Sequence, residues 1–457
     1  MPAAKSRPLR RGLMGAVTAF AALLAFAAPG EAQPTIRDAE IETTLRGYVD
    51  PIFVAAGLDP TQIEVVLIQD NSINAFVTSS RTMYIHTGLI AAVQTPNELK
   101  GVMAHETGHI AGHHVARSGE QASRAAVPAL ISVGIGILAI AAGAPAAGAA
   151  LIAGSPQFAQ AEMVQFTRAQ ESQADQAAVT FMDAAGQSGN GLLDFANRQF
   201  RYNEMRSAQH IPPWMQTHPL WTDRIQALRQ RVGEGEHRDA VDTPAEIEHL
   251  KLIQAKLYGY IETAGRTYLK YPDTDQSPAA RYARSIAAMR ASDFGRADKE
   301  AESLTREFPD NPYYHELVGE ILLTSGRVRE SVPHERRALA LLPGNALLQI
   351  NLGRALVAMK TPAATDEAIT CLSSATHLEP DNTSAWYELA EAYDSRGDEG
   401  MARLASAELS YSIGDYAKAR IFAARAKERL DQGTTSYLRA LDIMTISETR
   451  VREGQRG

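Results

Sequence analysis

Residues 95–117 read TPNELKGVMAHETGHIAGHHVAR, and the reading of this stretch decides what is built around it. Thr95 stands at an N-cap, Pro96 at the first helical position and Glu98 three residues after the cap, the pattern of a capping box. The spacing predicts a helix from Pro96 to about Arg117. Within it, His105-Glu106-Thr107-Gly108-His109 is an HExxH pattern. Two imidazoles four residues apart lie on one helix face and can grip a single zinc ion. Glu106, beside the first of them, can reach a water held there and take its proton.

A catalytic zinc needs a third protein ligand and an open fourth position. The extended form HExxHxxGxxH finds its glycine in Gly112 but meets Val115 where its last histidine belongs, and His113 and His114 are out of register. A carboxylate from a later helix is the alternative. Glu171-Ser172-Gln173-Ala174-Asp175 sets Glu171 and Asp175 one helical turn apart on a segment with a strong apolar face. On this reading Glu171 binds the metal and Asp175 orients a ligand histidine through its ring N–H. Glu162 is the next candidate ligand. Thr217-His218-Pro219, with Arg224 close by, is a further cluster; alone, a histidine before proline reads as a helix cap.

Upstream of the HExxH helix, Ile63–Gln69 reads as a buried strand, and Asn74–Val77 and Thr82–Thr87 as two more, giving a small sheet. Farther upstream, Lys5, Arg7, Arg10 and Arg11 precede an uncharged run from Gly12 to Ala28, with small residues at Gly30 and Ala32. That is the pattern of a signal peptide cleaved after Ala32. Its removal takes away four basic residues and one acidic one, moving the formal charge from −8 to −11. An acidic chain without basic runs is no nucleic-acid binder. Cys371 is the single cysteine, so no intrachain disulfide forms, which fits export to an oxidising compartment.

Downstream, Ala125–Ser155 carries no charge, but Pro128 and Pro145 leave too short a run between them for a membrane span. A helical hairpin, buried or touching a membrane surface peripherally, is expected there, and Ser155-Pro156 is read as the start of the next helix, to about Gly186. Gly233–Thr243 is polar and glycine-containing, a plausible boundary. Beyond it, Phe308-Pro309-Asp310-Asn311, Leu342-Pro343-Gly344-Asn345 and Glu379-Pro380-Asp381-Asn382 recur at intervals of 34 and 37 residues. Each proline ends a helix, and an amphipathic pair fills each interval. This period resembles tetratricopeptide repeats, which bury their faces only by stacking. The three extra residues are placed near Lys360–Thr365, in a turn between helices.

HETGH, then ExxAD, then THPxxxxRI, with an uncharged hairpin between the first two, resembles the zinc metallopeptidases of the HtpX and CaaX prenyl-protease superfamily. A signal segment and C-terminal repeats place the resemblance in its periplasmic branch. The resemblance implies one zinc held by His105, His109 and Glu171, with Glu106 as general base and acid. It implies His218 over the metal, either stabilising the oxyanion or acting as a removable fourth ligand, and Arg224 as a polar contact beside it. Substrate is expected to lie extended on Thr82-Met83-Tyr84-Ile85-His86, read as an edge strand. The implied substrates are unfolded or misassembled envelope proteins, with the outer-membrane assembly machinery as a partner of the repeats. A chaperone-like scaffold with latent proteolysis is the rival, although a pure scaffold has no use for Glu106. The expected fold is α+β: a mainly helical zinc metallopeptidase domain with a small β-sheet at 33–235, a linker helix at 236–270, then an α-solenoid of tetratricopeptide repeats at 271–457.

Overall fold

The computed structural model describes residues 35–78, 81–118, 131–133, 135, 145–205, 218 and 222–454, with backbone alone at 145–163, 165 and 202–205. The expected signal segment and most of the apolar stretch Ala125–Ser155 lie outside the described residues. Among the described residues, no helix is long and apolar enough to cross a membrane.

The first domain opens with strand β1 (Thr35–Ile36) and helix α1 (Ala39–Ala55), whose first turn is capped by the Asp38 side chain accepting from Ile41 N. Strands β2 (Glu64–Ile68), β3 (Ala75–Val77) and β4 (Thr82–His86) complete a sheet in the order β1-β2-β4-β3. β4 therefore lies inside the sheet. It runs parallel to β2, with Val66 opposite Tyr84, and antiparallel to β3, with Phe76 opposite Tyr84. A short helix α2 (Thr87–Ala92) leads into α3 (Pro96–Ala111).

α3 is the buried axis of this domain. Leu99, Val102, Met103 and Ile110 join Ile52, Phe53, Met83 and Ile85 in one apolar core. Thr95 caps it as expected, accepting from Glu98 N at 3.2 Å. The returning arm of the capping box differs: the Glu98 carboxylate accepts from Gln94 N at 2.6 Å and pairs with Arg198. α3 also stops earlier than its sequence suggests, because His113 adopts φ 51 and turns the chain out of the helix.

Around α3 pack α4 (Pro145–Ala184) and α5 (Asn190–Met205), with α6 (Thr222–Gly233) resting on both. α4 begins at Pro145 rather than at Ser155-Pro156. Proline suits a first helical position, and the alanines that follow favour helix. α7 (Pro244–Ile261) carries a complete capping box from Thr243 and Glu246. Its Leu250, Ile253 and Leu257 enter the first core, while Leu252 and Ala255 enter the next.

After α8 (Ala264–Lys270) the chain continues as antiparallel helix pairs. These are α9 (Pro278–Arg290) with α10 (Phe294–Glu307), α11 (Pro312–Thr324) with α12 (Val328–Leu341), and α13 (Ala346–Ala358) with α14 (Pro362–Leu378). Then follow α15 (Thr383–Arg396) with α16 (Glu399–Ser412), and α17 (Tyr416–Lys427) with α18 (Thr435–Gly454). The recurring asparagines cap the following helices: Asn311 accepts from Tyr313 N, Asn345 from Leu348 N and Asn382 from Ser384 N. The extra three residues do not enlarge a turn. α14 is 17 residues long where α12 is 14, so they lengthen the second helix of that pair. The architecture is α+β followed by an α-solenoid of repeats.

Candidate active site

α3 and α4 cross closely because Gly108 lacks a side chain. A Cβ there would stand 2.8 Å from Ala174 O and 2.9 Å from Ala174 Cα. This approach sets Glu171 and Asp175, on either side of Ala174, against the two histidines of α3. His105 Nε2 and His109 Nε2 are 3.1 Å apart, and each lies 3.4 Å from a Glu171 oxygen. His218 joins them, with Nδ1 3.2 Å from His105 Nε2 and 3.1 Å from Glu171 Oε1. One donor atom from each of His105, His109, Glu171 and His218 falls within 4.8 Å of the others, and all four residues are buried.

These separations fit a metal ion. Zinc–ligand bonds of about 2.1 Å in a tetrahedron place the donors about 3.4 Å apart, the spacing observed. Asp175 Oδ1 lies 2.9 Å from His105 Nδ1, so that nitrogen carries a proton and Nε2 is the one that faces the cluster. Arg224 supplies the counter-charge for both carboxylates: Nε and Nη2 reach Asp175 at 2.5 and 2.9 Å, and Nη1 reaches Glu171 at 2.6 Å.

Burial and charge act against each other here. For Asp175, burial pushes the carboxyl up, but Arg224 and His105 outweigh it and hold it down at about 2. Glu171 is likewise opposed by burial yet held well below the usual range by its three histidines. Burial lowers His105 too, but its bonds to Asp175 and Glu171 prevail and raise it to about 9; His109, dominated by burial, falls to about 3. Glu106 is fully buried, and burial raises its carboxyl above the usual range. Among the described residues neither Glu106 oxygen has a hydrogen-bond partner, and Oε1 lies 3.3 Å from His218 Nε2.

The structure thus brings together His105, Glu106, His109, Glu171, Asp175, His218 and Arg224 from segments far apart in sequence. The alternative ligand Glu162 lies on α4 with its side chain outside the described residues. The strand Thr82–His86 is a correction. As an inner strand, β4 has its backbone paired on both sides, and β3 is the edge beside α3. Its side chains are committed as well: Tyr84 stacks on Phe76 at 5.0 Å, and His86 Nδ1 bonds Ser72 Oγ at 2.7 Å.

His114 and Gln173 are site residues that the sequence did not reveal. His114 Nδ1 lies 3.0 Å from His109 Nδ1, and His114 Nε2 lies 3.3 Å from Gln173 Oε1. An amide oxygen only accepts, so His114 carries its proton on Nε2, leaving Nδ1 to accept from His109 Nδ1–H. The lone pair of His109 Nε2 is thereby turned to the cluster. On a continuous helix His114 would sit about 140° around from His109. The turn at Gly112-His113 brings it back, and a Cβ on Gly112 would meet the His114 ring at 2.4 Å. The glycine that suggested an extended zinc motif makes room for this ring.

Residues 36–232 match the family model of Peptidase family M48, and residues 282–346 match that of the tetratricopeptide repeat. A Vibrio cholerae relative among the beta-barrel assembly-enhancing proteases is 28% identical over 417 residues, covering 89% of this chain and 84% of the relative. The beta-barrel assembly-enhancing protease of Escherichia coli is 27% identical over 356 residues, covering 76% and 71%. The E. coli metalloprotease LoiP is 26% identical over 180 residues, covering 38% of this chain and 63% of that protein.

Proposed function

From a chain that is a metalloendopeptidase, with a peptidase family M48 domain followed by tetratricopeptide repeats, we propose a zinc enzyme of the periplasm that hydrolyses misfolded or stalled envelope proteins during outer-membrane assembly. The names of its relatives and the expected signal segment support the setting. The observation that carries the chemistry is the convergence of His105, His109 and Glu171 beside a buried Glu106.

Zinc bound there would supply Lewis acidity to a peptide carbonyl and to an attacking water. Glu106, buried beside the cluster with His218 Nε2 3.3 Å from its Oε1, takes the water proton and delivers it to the leaving amine. Substrate lies extended along the edge strand β3 beside α3. Glu106→Gln should keep zinc and fold while losing nearly all hydrolysis of an unfolded protein. Parental rates from that variant would refute the mechanism.

His218 acts as a latch. Its imidazole stands between the ligand cluster on one side and Glu106 on the other, the place an attacking water needs. A resting enzyme with a recruiting module would then remain silent until His218 withdraws. His218→Ala should raise the initial rate on one unfolded substrate at matched zinc content. A slower variant with intact zinc would reassign His218 to oxyanion stabilisation, whose loss costs about 10²–10³ in rate.

A further inference from the structure

Where the first domain meets the repeats, a cavity of about 430 Å³ opens between α7, α9, α11, α12 and α13. Its chemistry is separate from the peptidase site. Glu316 and Glu320 reach it from α11 and Glu335 from α12, with Asp38 at the rim. Lys256 is claimed by Asp38 at 2.7 Å, Glu40 at 3.4 Å and Glu316 at 3.7 Å. Arg37 and Arg354 also line it, but their guanidiniums bind Glu42 and Glu379, and Glu388, respectively. Glu320 accepts from Tyr260 Oη at 2.5 Å.

Glu335 is left without such a partner. It is 2% exposed, and among the described residues its Oε2 has no hydrogen bond; Glu316 Oε2 has none either. The carboxyl group lies over Gly319 of α11, where a Cβ would stand 2.3 Å from Oε1. A glycine inside a helix is unfavourable unless something uses the space, and here a carboxylate does. Burial, with Glu316 and Glu320 nearby, pushes the Glu335 carboxyl well above its usual range. Among the described residues, only the peptidase site groups its His, Cys, Asp and Glu donors closely enough for a metal. Leu317, Leu347 and Ile350 give an apolar wall for an aliphatic stem, and Asn351 adds a polar one.

We propose that this cavity binds the ammonium or guanidinium head of a lysine or arginine side chain, presented by a segment of a partner protein docking at the junction of peptidase and repeats. The probe is acetyl-Gly-Gly-Arg-Gly-Gly-amide, with its citrulline counterpart, titrated to millimolar concentration onto the full chain carrying Glu106→Gln so that nothing is cleaved. The arginine peptide should bind, and the citrulline peptide should bind about tenfold more weakly or worse, the scale of losing one buried charge partner. Glu335→Gln, near-isosteric, should weaken the arginine peptide similarly at unchanged melting temperature and zinc content, and Glu316→Gln serves as a second variant. No binding of the arginine peptide, equal binding of the two peptides, or parental affinity in both variants would overturn the proposal. Free arginine amide binding as tightly as the peptide would overturn the partner segment and leave a small-amine site.

Discussion

His109 illustrates how a single side chain depends on partners that its motif does not mention. The nitrogen it turns toward the cluster is set by the His114–Gln173 relay, and that of His105 by Asp175. Removing such outer partners typically lowers metal affinity by about 10–100-fold. His114→Ala should therefore bind zinc more weakly in chelator competition while the apo fold stays intact, and Gly112→Ala should do the same by displacing the ring. Unchanged zinc affinity in both would dismiss the relay. Arg224 has a different role. It neutralises two buried carboxylates, so Arg224→Met should destabilise the protein by about 3–5 kcal/mol in urea unfolding at fixed zinc. A loss under ~1 kcal/mol would mean that solvent reaches those carboxylates. His105, Glu106 and His109 were legible because one helical turn links them, and Glu171 and Asp175 because they repeat that spacing. His114 was not, because its position depends on a left-handed residue at 113 that reverses the ordinary helical geometry.

Among the elements, α3 and α4 carry the site, and their separation is set by Gly108 against the backbone of Ala174. In an unconstrained helix, glycine to alanine is favourable by about 1 kcal/mol. Here the sign should reverse, because the new methyl meets main-chain atoms that cannot move aside. Gly108→Ala should lower the melting temperature and the zinc content together, since any parting of the helices carries Glu171 away from the histidines. A more stable variant with full zinc would contradict that account. The repeats show a similar division. Their period is visible in sequence because each Pro-Asp-Asn or Pro-Gly-Asn both stops one helix and caps the next. Where three extra residues go is decided by how α14 packs along α13 and α15, not by any local signal.

At the scale of the molecule, α7 divides its side chains between two cores, and Lys256 ties Asp38 of the first domain to Glu316 of the repeats. Peptidase and first repeats should therefore unfold together, as one transition by calorimetry at saturating zinc. Two well-separated transitions would show that α7 does not couple them. The sequence by itself determined the HExxH and Glu171–Asp175 spacings, the start of α3 and the repeat period, since each is written within a few turns of chain. The strand order was beyond it: β4 shows the alternation of any half-buried strand, and that pattern says nothing about which neighbours occupy its two edges. The same holds for the Arg224 clamp, the His114 relay and the acidic cavity. Each depends on side chains brought together from separate elements, and only packing of the buried faces in three dimensions decides which of them meet.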